Sequence, residues 1–133
     1  MFGSFDISTS ALAAQRMRLT TIASNMANID TTHDASGKYD PYRRMDVVFQ
    51  AQRTADGGMG VRVSKVLQDP SPLKVRYEPW NPDKDADGYV YYPNVDLPTE
   101  YINALEATRA YEANATAIET TKAMMNATLR LLG

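Results

Sequence analysis

The sequence predicts an α+β fold: long N- and C-terminal helices pair as a coiled-coil-like bundle, with a small β-rich domain inserted between them. Two matching apolar stripes at 3–4 spacing, one at each end, and a middle that alternates instead, carry that expectation. Near the start, Leu12, Leu19, Ile22, Met26 and Ile29 advance in steps of three and four once Gln15 is counted as a polar interruption. At the other end the series is Tyr101, Ala104, Thr108, Tyr111, Ala115, Ile118, Lys122, Met125, Leu129 and Leu132, broken by Thr108 and Lys122. A repeat averaging 3.5 residues keeps one stripe facing a partner helix along its whole length. The termini are built to pair, either as an antiparallel hairpin burying its own core or with neighbouring chains. Burying a Leu or Met contributes roughly 1.5–3 kcal/mol, while ordering each residue costs about 1–2 kcal/mol in the backbone alone. One such pair is marginal without further partners.

The elements follow in order. Asp6 or Ser8 is the expected N-cap, a short side chain able to accept from a free first-turn amide. The helix then runs to about Asn28, a residue type that tolerates the left-handed conformation ending many helices. Residues 30–40 are rich in Thr, Asp, Ser and Gly, a loop by composition. Met45, Val47, Phe49 and Ala51 alternate with Asp46, Val48 and Gln50, as a half-buried strand does. Asp56, Gly57 and Gly58 mark a turn, and Val61 and Val63 open a second strand, making a hairpin. Residues 73–77 and 89–92 are shorter strands separated by Pro79, Trp80, Asn81 and Pro82. Pro93 and Pro98 fence a last helix over 98–132, about 50 Å long at 1.5 Å per residue. The expected division is 1–32 for the first helix, 33–97 for the inserted domain and 98–133 for the last helix.

At 133 residues the chain is one domain's worth, small for an enzyme with a deep cleft. A net charge of -2 gives no general attraction for nucleic acid or acidic membranes. With no cysteine there is no disulfide framework, thiolate nucleophile or Cys-based zinc site, a usage that suits a life outside the cytoplasm. No apolar run approaches the roughly 20 residues needed to span a bilayer. Asp6 and Arg16 interrupt the region where a secretory signal would be apolar, so an exported form is expected to travel without a cleaved signal peptide.

Four constellations could carry chemistry. Asp83, Asp85, Asp87 and Gly88 match the first half of an EF-hand calcium loop, but the twelfth position is Asn94, which cannot supply a bidentate carboxylate, and prolines replace the flanking helices. A calcium-responsive binding module using this loop is the alternative function. His33, the single histidine, sits in a polar loop beside Asp34, with no motif placing a nucleophile near it. Arg43 and Arg44 follow Tyr39 and Tyr42, a pattern that suits single-stranded nucleic acid but in an acidic chain reads as ion pairs or interface contacts. Arg109 and Glu112, three apart on the last helix, are spaced to pair on its surface. No cofactor or metal is expected, and no catalytic residue.

Beyond this, Ser24-Asn25-Met26-Ala27-Asn28-Ile29-Asp30-Thr31-Thr32 resembles the signature that closes the N-terminal helix of the flagellar axial rod and hook family. Ala107-Thr108-Arg109-Ala110-Tyr111-Glu112-Ala113-Asn114 resembles its C-terminal counterpart. Pro41-Tyr42-Arg43-Arg44, the stretch 82–90 and Tyr92-Pro93-Asn94-Val95-Asp96 are similar to proximal rod members of that family. The loop 32–40 is more elaborate than the short proline-bearing turn of the family. The resemblance implies a non-enzymatic structural subunit of the proximal rod, assembling helically into a drive shaft and export channel wall. Implied partners are copies of itself, other rod proteins, the basal-body ring junction and the flagellar type III export apparatus, with no nucleic acid and no membrane insertion. The implied location is the periplasmic rod of the basal body. The expected assembly interface comprises Leu12, Leu19, Ile22, Asn25, Met26, Asn28 and Ile29 on the first helix, and Arg109, Tyr111, Asn114, Ile118, Met125 and Leu129 on the last.

Overall fold

A computed structural model describes residues 2–55 and 57–133. Asp56, part of the expected hairpin turn, lies outside the described residues. The order is α1 (Phe2–Ala27), β1 (Met45–Arg53), β2 (Met59–Gln68), β3 (Lys74–Tyr77), β4 (Tyr89–Tyr92) and α2 (Leu97–Leu132), forming two separate antiparallel two-stranded sheets, β1-β2 and β3-β4. The α+β expectation holds.

Local chemistry sets the start of α2 at the expected place, while α1 starts elsewhere than expected. Helix α2 begins where Asp96 accepts from the Thr99 amide (3.3 Å) and hydroxyl (2.6 Å), with proline in the first turn, where a missing N–H costs nothing. Helix α1 begins at Phe2, so Asp6 and Ser8 lie inside it rather than capping it. Its far end also differs from expectation: no described non-glycine residue has positive φ, so Asn28 does not stop the helix by turning left-handed. Instead its side-chain amide donates to the Ser24 carbonyl (2.8 Å) and its carbonyl accepts from the Thr31 hydroxyl (3.1 Å), competing with the helical ladder.

The helices run antiparallel. Arg18 Nη2 reaches Glu106 Oε2 at 3.3 Å, while Phe5 shares a groove with Met125 and Leu129 at the other end of the pair. On α1 the expected stripe faces inward, with Ile22 buried and Leu12, Leu19, Met26 and Ile29 half-buried. On α2 half of the stripe is displaced by one position. Ala104, Tyr111, Ala115, Ile118 and Met125 are buried or half-buried as expected, but Ala107 and Thr121 take the places of Thr108 and Lys122, Asn114 shares that of Ala115, and Tyr101, Thr108, Lys122, Leu129 and Leu132 are exposed. Small side chains at those places let the helix axes come close, which outweighs the apolarity of Tyr101 and Leu129.

Helix α1 carries a second face. The β1-β2 hairpin lies along it: Ser10 Oγ accepts from the Val61 amide at 3.1 Å, and Ala14 and Met17 share a groove with Val61 and Val63. The pairing shifts between Val48↔Lys65 and Phe49↔Val63, leaving Ser64 as an extra residue in β2. That bulge returns Val66 to the face of Val61 and Val63, opposite Val47, where strict alternation would have turned it away. Phe49 and Ala51, expected on the inner face, remain exposed near the outer part of the hairpin. The second sheet covers a separate small core of Val90, Pro93 and Val95.

Close approach of hairpin and helix depends on Gly60, where a Cβ would stand 2.7 Å from Ser10 Oγ. Gly60→Ala should destabilise the chain by about 1–3 kcal/mol through overpacking, read by urea unfolding. Combined with Ser10→Ala, the cost should be less than the sum of the two single changes, because one clash and one hydrogen bond are then removed together.

Candidate functional site: the junction of helices and hairpin

The most connected polar cluster stands where α1 ends and β1 begins. Asn25 is fully buried. Its Oδ1 accepts from the Met45 amide (2.9 Å) and the Tyr42 hydroxyl (2.8 Å), and its Nδ2 donates to the Met45 carbonyl (2.9 Å). A side-chain amide thus pairs with a strand residue as a neighbouring backbone would, satisfying donor and acceptor together.

One residue before Met45, Arg44 spans to α2. Its guanidinium Nε donates to Glu100 Oε1, and Nη1 lies 3.4 Å from Asp69 and 3.7 Å from Asp46. Glu100 is 0% exposed, and its Oε2 has no hydrogen-bond partner. Burial works against the charge on Arg44, but Glu100, Asp46 and Asp69 outweigh it and hold the guanidinium above its usual value. Asn94 fastens the same point from the other side. Its Oδ1 accepts from the Arg44 amide at 2.7 Å, and its Nδ2 donates to the carbonyls of Asp69 (3.2 Å) and Ser71 (3.0 Å). Arg43 Nη1 donates to the same two carbonyls, at 3.4 and 3.2 Å. The arginine pair therefore acts in ion pairing and loop anchoring.

The other candidate residues divide clearly. Asn25 and Asn28, chosen as interface residues, are engaged within the chain. Arg109 is exposed, as is Glu112, and no ion pair joins them among the described residues. Tyr111, Asn114, Ile118 and Met125 are half-buried against α1, while Leu129 is 64% exposed. The acidic loop does not converge. Asp83 turns to His33 Nε2 (3.1 Å), and Asp85 Oδ1 accepts from the amides of Asp87 and Tyr89 (2.9 Å each). No group of three or more His, Cys, Asp or Glu among the described residues could hold a metal ion. The 32–40 loop folds on itself through a His33↔Tyr39 bridge. It is pinned to β4 by the Tyr39 hydroxyl, which donates to the Tyr91 carbonyl (2.9 Å) and accepts from its amide (2.8 Å).

Sequence reasoning missed Glu100, Asn94 and Asp69. A first-turn glutamate looks like routine compensation of the helix dipole; the signal that could have found it was Arg44, a cation at the start of a strand whose one local acid, Asp46, leaves most of its five N–H donors free for other partners.

Removing the Asn25 side chain leaves both half-buried Met45 backbone groups without these partners. Asn25→Ala should therefore cost about 2–4 kcal/mol, with Tyr42→Phe costing less, both measured by urea unfolding. The junction is also acid-sensitive. The Ser71 hydroxyl and amide, aided by Arg44, hold the Asp69 carboxyl below its ordinary 3.8. A lowered folded value stabilises above the unfolded one and is lost as pH falls through the folded one. Unfolding midpoints should thus drop on acidification below about pH 4, and less steeply in Asp69→Asn.

Known proteins match along almost the whole chain. Residues 5–32 match the family described as "Flagella basal body rod protein", and residues 86–131 match "Flagellar basal body rod FlgEFG protein C-terminal". The chain is 47% identical over 129 residues to the flagellar basal-body rod protein FlgC of Yersinia enterocolitica, covering 96% of this chain and 94% of the relative. It is 48% identical over 130 residues to FlgC of Salmonella typhimurium, with the same coverage, and 39% identical over 145 residues to FlgC of Bacillus subtilis, covering 98% and 97%. At this identity over nearly full length, with paired terminal helices around a small β region, the chain belongs to the FlgC family of flagellar basal-body rod proteins.

Proposed function

We propose that this chain assembles helically, with its own copies and other rod proteins, into the proximal rod of the flagellar basal body. There it would serve as drive shaft and export channel wall. Membership in the family makes it a structural rod component and not an enzyme. The finer reading adds the periplasmic location, passage through the flagellar type III export apparatus, and contact with the basal-body ring junction. Within it, 1–32 and 98–133 would form the axial part and 33–97 the surrounding domain.

The observation that carries this reading is unspent apolar surface. The chain exposes 8853 Å² at 14.8 kDa, where a compact monomer of that mass exposes about 7,000 Å². On α2, Tyr101, Ile102, Leu105, Met124, Leu129, Leu131 and Leu132 are all exposed. Heterologous contacts between such faces give an open helix when the rotation does not close. No helix among the described residues is long and apolar enough to cross a membrane, so these side chains are not a spanning segment.

The decisive experiment is electron microscopy of basal bodies from cells lacking this chain. Rings without a completed rod, restored by the wild-type gene, are expected; intact rods would overturn the reading. In the same background Ile118→Asp, a charge in the half-buried seam of α2, should be expressed yet fail to enter the rod. Normal motility of that strain would remove the seam from assembly.

A further inference from the structure

The β3-β4 sheet has one face whose side chains all remain exposed among the described residues. Val75 pairs with Tyr91 and Tyr77 with Tyr89, so these four side chains share a face, while Val90 and Tyr92 point to the small core beneath. All four are exposed, Tyr77 at 61%, and Trp80 beside them is 77% exposed. Tyr77 and Tyr89 meet edge to face at 5.3 Å between centroids, leaving one ring face open to solvent. The surrounding segment 78–88 holds four carboxylates, Glu78, Asp83, Asp85 and Asp87, against one cation, Lys84. Glu78 turns to the inner side, where it accepts from the Tyr92 hydroxyl (2.8 Å), and Asp83 is paired with His33, so Asp85, whose Oδ2 lies 3.5 Å from the Tyr91 hydroxyl, and exposed Asp87 are the carboxylates beside the aromatic face. Aromatic rings with carboxylates beside them recognise cationic side chains, above all guanidinium groups. The same sheet already uses that contact on its inner side, where the Arg76 guanidinium lies 4.4 Å over the Tyr92 ring.

The β1-β2 hairpin is the complement. Over 45–68 it carries Arg53, Arg62 and Lys65 against Asp56 and Asp46, the latter already paired with Arg44. Arg62 and Lys65 alternate with Val61, Val63 and Val66, which places them on the face turned away from α1. None of the three pairs with a carboxylate among the described residues. These two surfaces cannot meet within one chain. The hairpin tip lies beside Ile7, and its base beside Asn25, about 27 Å further along α1. The aromatic face stands beyond that base, tied there through Tyr39 and His33.

We propose that the aromatic face of β3-β4, with Asp85 and Asp87 beside it, docks the basic β1-β2 hairpin of a second copy of this chain. The inference rests on the rod reading and supplies it with a heterologous contact, since donor and acceptor surfaces are different patches of the chain.

Trp80→p-benzoylphenylalanine, expressed in the flagellated cell and irradiated in assembled basal bodies, tests this directly. The expected product is a covalent dimer of this chain in which the label is joined to a peptide from 47–68. It should disappear when the second copy carries Arg62→Glu with Lys65→Glu, and return in part when the labelled copy also carries Asp87→Lys. If the Trp80 variant does not assemble, the label is placed at exposed Tyr77. An adduct with another rod protein, an adduct with a different part of a second copy, or no adduct in assembled rods would each overturn the proposal. Such rods would still need the chain, whereas rods that form without it would overturn the rod reading instead.

Discussion

Asn25 holds together two elements that the chain itself would otherwise let drift. Between the end of α1 and the start of β1 lie some seventeen residues of loop, long enough to place the hairpin in many positions. One buried carboxamide removes that freedom by accepting from and donating to the same strand residue, Met45. Its value lies in exclusion. Any other placement of β1 would leave a desolvated amide with up to three unmet hydrogen bonds, so misregistered arrangements are penalised more heavily than the native one is favoured. The hairpin that follows needs little apolar area of its own, because its position along α1 is already determined at its base.

Arg44 extends the same constraint to the second helix. A buried ion pair is weak support for stability, since desolvating both charges offsets much of their attraction. An apolar pair of equal size would hold α2 at least as firmly. What it would lack is the branching: one guanidinium addresses Glu100 on α2, Asp46 on β1 and Asp69 after β2, fixing three segments at a single point. Asn94 closes the remaining side through the Arg44 amide. The angle between helix pair and β region is thus set by directional bonds, while the helices themselves meet through small and half-buried side chains.

This division explains what the sequence disclosed. Apolar periodicity revealed both helices and the inward stripe of α1, and alternation with turn residues revealed all four strands. It did not reveal the second face of α1, because Ser10, Ala14, Thr21 and Asn25 carry no hydrophobic signal, being selected for close approach and hydrogen bonding to the hairpin. For the same reason half of the α2 stripe was misplaced: Ala107, Asn114 and Thr121 lose to Tyr101 and Leu129 on any scale of apolarity, yet they are what fits against α1. Of the two asparagines in the Asn25-Met26-Ala27-Asn28 motif, Asn25 was legible as important only through family resemblance, whereas Asn28 was legible as a helix end by residue type though not by the means it uses. Their physical work, strand mimicry by Asn25 and helix closure by Asn28, depends on partners at least three and as many as twenty residues away.

A torque-bearing subunit faces opposing demands, and the two kinds of bonding answer different ones. On the proposed export route, threading through a narrow channel would favour helices that separate easily, which a seam of Ala, Thr, Asn and isolated Met or Ile provides, since each contributes little burial. Transmitting load afterwards requires that the β region not pivot on the helices, and apolar contacts, being non-directional, resist rotation poorly. Hydrogen bonds from Asn25 and the branched Arg44 cluster resist it well, because turning by tens of degrees breaks several at once. Assembly then has to supply only what the isolated chain lacks, a partner for the exposed face of α2. Burying that surface would stabilise the helices without altering the junction already formed. On this argument the chain enters the rod with its internal angle set and its outer helix face unsatisfied, so that assembly energy is spent on ordering helices rather than on reshaping the subunit.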